Sequence, residues 1–108
     1  MSTFDDREKG FENKFKHDQE LTFKAEARRN KLLGLWAAEL LGLSGADAQA
    51  YAAEVVQSDF EEPGDDDVLR KVLGDLQAKN VDKSEHQVRR TMDDLMVTAR
   101  EQIMSELK

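Results

Sequence analysis

The chain has 108 residues, no cysteine, and 23 acidic against 16 basic residues, for a formal net charge of −7. Its length allows one domain, and a hydrophobic content of 39% allows a modest core. The acidic balance argues against nucleic acid and against an anionic membrane as main partner, and the lack of cysteine removes disulfides and thiolate metal sites, which fits a reducing cytoplasm.

Residues 1–17 come first and carry Phe4, Phe11 and Phe15 among charges. On a helix advancing roughly 100° per residue, Phe11 and Phe15 fall within about 20° of Phe4, so the rings form one narrow stripe. Burying each ring contributes roughly 1.5–3 kcal/mol, whereas ordering each backbone residue costs about 1–2 kcal/mol, and Gly10 weakens the helix by about 1 kcal/mol more. The stripe does not hold a helix by itself. A disordered or partly helical, flexible segment is therefore expected, of the kind that folds into a groove supplied by a partner. The opening Met1-Ser2-Thr3-Phe4 does not form a signal peptide.

The remainder, residues 18–108, reads as a helical bundle. From about Asp18 to Leu41 strong helix formers dominate and proline is absent, which predicts a long first helix. Its second half is apolar on most sides, with Trp36 expected at the centre of the core. The most apolar stretch, residues 32–43, contains Glu39 and is too short for a membrane span. Gly42 is a stop signal, and Ser44-Gly45-Ala46-Asp47 reads as a variant capping box opening a second helix. That helix should place Ala48, Tyr51, Ala52, Val55, Val56 and Phe60 against the first and end before Pro63.

Pro63-Gly64 followed by Asp65, Asp66 and Asp67 marks a break whose aspartates can cap a third, shorter helix with Leu69, Val72, Leu73 and Leu76 as its stripe. Lys79-Asn80 offers a left-handed stop. Ser84 with Gln87 forms a second capping box, and Val88, Met92, Leu95, Met96, Ala99, Ile103 and Leu107 carry the last helix, its methionines read as core filling. No segment shows strand alternation, so the fold expected is all-α, a four-helix bundle that could be irregular.

The chemistry is mostly negative. No phosphate-cradling loop or dinucleotide fingerprint is present, and His17 and His86 belong to no metal motif. Glu61, Glu62, Asp65, Asp66 and Asp67 lack the spacing of a calcium loop and read as capping acids rather than metal ligands. Nothing pairs a nucleophile with a base, so no catalytic residue, no metal and no cofactor is expected. Lys24, Arg28 and Lys31 share one face of the first helix. That face is either solvated, packing alkyl stems over the core, or a site for an acidic surface or a nucleotide phosphate.

The strings Phe4-Asp5-Asp6-Arg7-Glu8-Lys9-Gly10-Phe11-Glu12, Phe23-Lys24-Ala25-Glu26-Ala27-Arg28-Arg29-Asn30-Lys31-Leu32-Leu33-Gly34-Leu35-Trp36 and Asp59-Phe60-Glu61-Glu62-Pro63-Gly64-Asp65 closely resemble the zeta subunit of bacterial F-type ATP synthases. The resemblance extends over essentially the whole chain and includes Ser84-Glu85-His86-Gln87. It implies a helical bundle with a mobile inhibitory N-terminal region that inserts at a catalytic interface of the ATPase head. By that resemblance Phe4, Phe11 and Phe15 are anchors, while Asp5, Asp6, Arg7, Glu8, Lys9, Glu12, Lys14 and Lys16 set register and orientation. It also implies partners in the catalytic head and central stalk, a cytoplasmic place peripheral to the inner membrane, and weak ATP or ADP binding, for which Lys24, Arg28 and Lys31 are the candidates. The alternative is a small helical nucleotide sensor with no obligatory protein partner, and a structural scaffold is a third option.

Overall fold

The computed structural model describes residues 3–60 and 64–107, with side chains from residue 19 onward. Four helices follow one another, α1 (Thr3–Leu40), α2 (Gly45–Ser58), α3 (Asp66–Ala78) and α4 (Glu85–Glu106), and no strand occurs among the described residues. The fold is an all-α four-helix bundle. Its helix α1 begins at Thr3 rather than near Asp18, so no helix break separates residues 3–17 from the residues that follow. At 1.5 Å per residue, its 38 residues span about 57 Å, which accounts for most of the 65 Å longest dimension. The radius of gyration, 17.4 Å, exceeds the roughly 13 Å of a compact chain of this length for the same reason.

Local chemistry sets the turns. After α1, Gly42 takes φ +80, its N–H donating to Glu39 while that of Leu43 donates to Ala38, the paired bonds of a Schellman stop. Asn80 repeats the device at φ 59, with its own N–H on Gln77 and that of Val81 on Leu76. At Ser84 both halves of the capping box form, Gln87 N–H to Ser84 Oγ at 3.2 Å and Ser84 N–H to Gln87 Oε1 at 2.8 Å. The box expected at Ser44 does not form. Ser44 is the N-cap residue, but Gly45 enters the helix at φ +56 and the hydroxyl makes no cap bond.

The helices run alternately up and down. Gly34 of α1 meets Ala52 of α2, and Tyr51 and Glu54 of α2 meet Asp75 and Lys71 of α3. Helix α4 returns along α1: Val88 and Met92 join the core, while Ile103 and Met104 reach Leu21 and Ala25. The core gathers Leu33, Ala37 and Ala38 of α1, Tyr51 and Val55 of α2, Val68, Leu69, Val72 and Leu76 of α3, and Val88 and Met92 of α4.

Its centre is small, not aromatic. A Cβ on Gly34 would lie 2.6 Å from Ala52 Cα, so α1 and α2 cross with their backbones nearly touching, and bulk is excluded there. Trp36, expected at the centre, is only half-buried and packs on the edge of the core, because the crossing selects glycine and alanine. Phe60 departs similarly. Helix α2 stops at Ser58, which leaves Phe60 beyond its end and 69% exposed. Of the methionines read as core, Met92 is buried, Met96 half-buried and Met104 exposed, and Leu107 at the end of the same stripe is exposed too.

Candidate functional site

The candidate site is the end of the bundle from which the first part of α1 extends. Here α1 loses its neighbours in turn. Helix α2 ends at Ser58, near the level of Asn30, while Ile103 and Met104 of α4 line a depression with Leu21, Thr22 and Ala25 of α1.

Two polar clamps hold α1 at this end. Arg28 is the outer one, donating from one guanidinium nitrogen to Gln102 Oε1 at 2.8 Å and from the other to Glu106 Oε1 at 2.6 Å. It fastens α1 to the last turns of α4. Both partners are partly solvated, so the pair contributes at most about 1 kcal/mol. Arg29 is the inner one, and it is 3% exposed. Its Nε donates to Asn30 Oδ1 at 3.0 Å, and its terminal nitrogen to Asp65 Oδ1 at 2.8 Å. Asp65 is the N-cap residue of α3, yet its carboxylate serves Arg29 and not the helix amides.

This inner clamp explains two titration shifts. The hydrogen bond from Arg29, reinforced by its charge and that of Arg89, holds the Asp65 carboxyl below its usual range against the opposing effect of burial. Burial pushes the neighbouring Asp59 carboxyl up, opposed by Asn30 and Arg29 and assisted by Asp67 and Asp65. Asn30 Nδ2 is buried with no close hydrogen-bond partner among the described residues, and its opposing effect on Asp59 is that of a weak side-chain hydrogen bond.

The acidic segment turns out to be divided among separate tasks. Asp65 pairs with Arg29, Asp66 with Arg89 at 2.9 Å, and Asp67 Oδ1 accepts the Val68 N–H at 2.8 Å. No group of three metal-binding side chains converges among the described residues, while Glu61, Glu62 and Pro63 lie outside them. On the far side, Tyr51 donates to Asp75 Oδ2 at 2.8 Å, and Lys71 bridges Asp75 and Glu54. This network ties α2 to α3. Burial and the Asp75 carboxylate raise the Tyr51 hydroxyl far above its ordinary pKa.

Sequence reasoning placed Lys24, Arg28 and Lys31 on one face, and all three do line one shallow groove with Phe23, Ala27 and Val56. Arg28 is already committed to α4. Arg29 and its latch were missed. The available signal was register, since Arg29 stands four residues from both Ala25 and Leu33, which are buried. The N-terminal candidates Phe4, Asp5, Asp6, Arg7, Glu8, Lys9, Phe11, Glu12, Lys14, Phe15 and Lys16 lie on the helical backbone of α1, but their side chains are outside the described residues.

No helix among the described residues is long and apolar enough to cross a membrane. No curated protein matches the chain. A structure solved by solution NMR is 59% identical to it and superposes with a TM-score of 0.71, covering 80% of this chain and 98% of that one. The family described as ATPase inhibitor subunit zeta matches residues 1–102.

Proposed function

Because the chain belongs to the ATPase inhibitor subunit zeta family, we propose that it is a protein inhibitor of the rotary F-type ATP synthase whose residues 1–17 insert as a helix at a catalytic interface of the ATPase head and block ATP hydrolysis. The observation that carries this reading is the mismatch in length between α1 and its neighbours. Helix α1 has 38 residues, whereas α2, α3 and α4 have 14, 13 and 22. A helix propagating from a folded bundle avoids the costly first turn that an isolated peptide must form, so the bundle supplies the nucleus for the inhibitory helix.

Phe4, Phe11 and Phe15 are the anchors in this mechanism, spaced for a groove that accepts one helical stripe. The charged residues between them, from Asp5 to Lys16, fix register and orientation, because charged contacts contribute more to specificity than to affinity. Rotation stops only if the inserted helix prefers one rotary state, since a ligand with equal affinity for every state shifts none of them. The bundle stays outside as the holder. The partners are then the catalytic head and the central stalk, and the protein is a binding subunit rather than an enzyme, cytoplasmic and peripheral to the inner membrane through the synthase.

A photo-crosslinking residue at Phe11 tests the insertion. The expected adducts are to subunits at a catalytic interface of the head. Adducts confined to the outer surface of the head, or to this chain, would contradict it. A second reading, weak capture of ATP or ADP at Lys24, Arg28 and Lys31, is favoured by their shared groove and opposed by the pairing of Arg28 with Glu106. Titrating ATP into the free protein separates the two: saturable amide shifts confined to residues 24–31, without association to the head, would favour the sensor.

A further inference from the structure

The insertion of residues 1–17 leaves one feature of the bundle unused. Three shallow depressions share Phe23, Lys24, Lys31 and Val56 between them, so they run together as one open groove from Gln19 on α1 to Phe60 past the end of α2. Along α1, residues 19–31 give it a length of about 18 Å, a little over three turns of a helix laid in it. Phe23 is 61% exposed and Phe60 69% exposed, the two most exposed large apolar side chains among the described residues. Single exposed apolar residues are ordinary, but here both rings stand on one groove floored by Ala27 and Val56.

Its charge is the inverse of the chain's. In a protein of net charge −7 the groove carries Lys24, Arg28 and Lys31 against Glu20 and Glu106. Arg28 is held by Glu106 and Gln102, while Lys24 and Lys31 have no ion partner among the described residues. An apolar floor, two exposed rings and two uncommitted ammonium groups suit an amphipathic helix with an acidic flank. A nucleotide suits it less well. Small phosphate-bearing ligands favour enclosed sites with convergent donors, and the one guanidinium present is taken.

We propose that this groove is a second docking surface, which receives an acidic amphipathic helix on the outside of the ATPase head beside the point of insertion. The inference rests on the inhibitor reading above. The groove opens two residues beyond residue 17 on the same continuous helix, so the inserted segment delivers it to the rim of the head. Two contacts in tandem on one stiff helix make the second nearly intramolecular, which lengthens residence without any tighter fit at the first.

The test uses the intact chain and purified ATPase head, with binding kinetics as readout. Lys24→Glu with Lys31→Glu should slow association about tenfold at low ionic strength, and the difference should shrink towards none at about 0.5 M salt. Phe60→Ser should speed dissociation several-fold, and a photo-crosslinker at Phe60 should form adducts with an acidic helix of the head. Because these side chains are exposed, circular dichroism melts of the variants should match the parent chain. Association by the charge-reversed chain at the parent rate would overturn the proposal, as would Phe60 adducts only to a second copy of this chain. Protection of Lys24 and Lys31 from acetylation by ATP alone, with head binding unchanged by reversal, would overturn it in favour of a nucleotide. If the parent chain does not bind the head at all, the inhibitor reading falls with it, whereas parent binding with unaffected variants sinks the groove alone.

Discussion

At Gly34 the backbone of α1 lies against that of α2 with no room for a methyl group, while at Arg28 the same helix is held to α4 by side-chain tips that reach through partly solvated space. The first contact is made of buried small residues and is insensitive to salt. The second is polar, weak and adjustable. One helix is therefore fixed firmly at one end and fastened lightly at the other, where it leaves the bundle. This division suits a part that must hold its own fold while its far end engages another molecule, because the segments that move in binding come from the less stable end of a structure.

The contrast can be broken first at its tight end. Gly34→Val should unfold the bundle, since even one carbon would overlap the Ala52 backbone and overpacking alone costs about 1–3 kcal/mol or more. A thermal melt within a few degrees of the parent would show that the helices do not cross as closely as described. Asp65→Asn comes next, because it leaves the buried Arg29 without its carboxylate, at about 2–3 kcal/mol after allowance for the partial exposure of Asp65. It should cost far more than Asp66→Asn, whose partner Arg89 is solvated.

The same latch predicts a pH dependence. The folded pKa of Asp65 is lowered, so its contribution is present above the ordinary carboxylate value near 4 and is lost as pH falls through the lower folded value. Asp59 has the opposite sign, its raised folded pKa meaning that its ionised form costs stability and that acidification first relieves this cost. Chemical denaturation as a function of pH should therefore show Asp65→Asn losing less stability below about pH 4 than the parent does. Equal losses would place the acid sensitivity elsewhere.

Smaller effects follow. Tyr51→Phe removes the hydroxyl bonded to Asp75 and should cost about 0.5–1.5 kcal/mol, read as a shifted denaturation midpoint with an unchanged slope. Glu106→Gln should cost less than about 1 kcal/mol, and its effect should be local. Hydrogen exchange should quicken at residues 21–28 and stay unchanged at residues 33–38. A uniform change across α1 would contradict the two-ended picture.

The outline of the bundle was legible because its punctuation is local. Gly42, Asn80 and the Ser84–Gln87 box each act within one turn of chain, so the residues alone state the geometry. Trp36 lies at the edge although the second half of α1 is apolar on most sides, because a close helix crossing places its smallest residues innermost. The partnership of Arg29 with Asp65 spans 36 positions, and nothing local announces it. At the candidate site the shared face of Lys24, Arg28 and Lys31 followed from helical spacing, but the commitment of Arg28 to α4 depended on how two distant helices pack.

The most direct measurement is the inhibition of ATP hydrolysis by purified ATPase head, titrated with the parent chain and with a variant carrying Phe4→Ala, Phe11→Ala and Phe15→Ala. Each ring lost from a filled groove should cost at least tenfold in potency, since about 1.4 kcal/mol is a factor of ten and a buried phenylalanine contributes roughly 1.5–3 kcal/mol. The account predicts a variant that keeps the melting temperature of the bundle and inhibits at least about a thousandfold less well. A variant that folds and inhibits as strongly as the parent would contradict it.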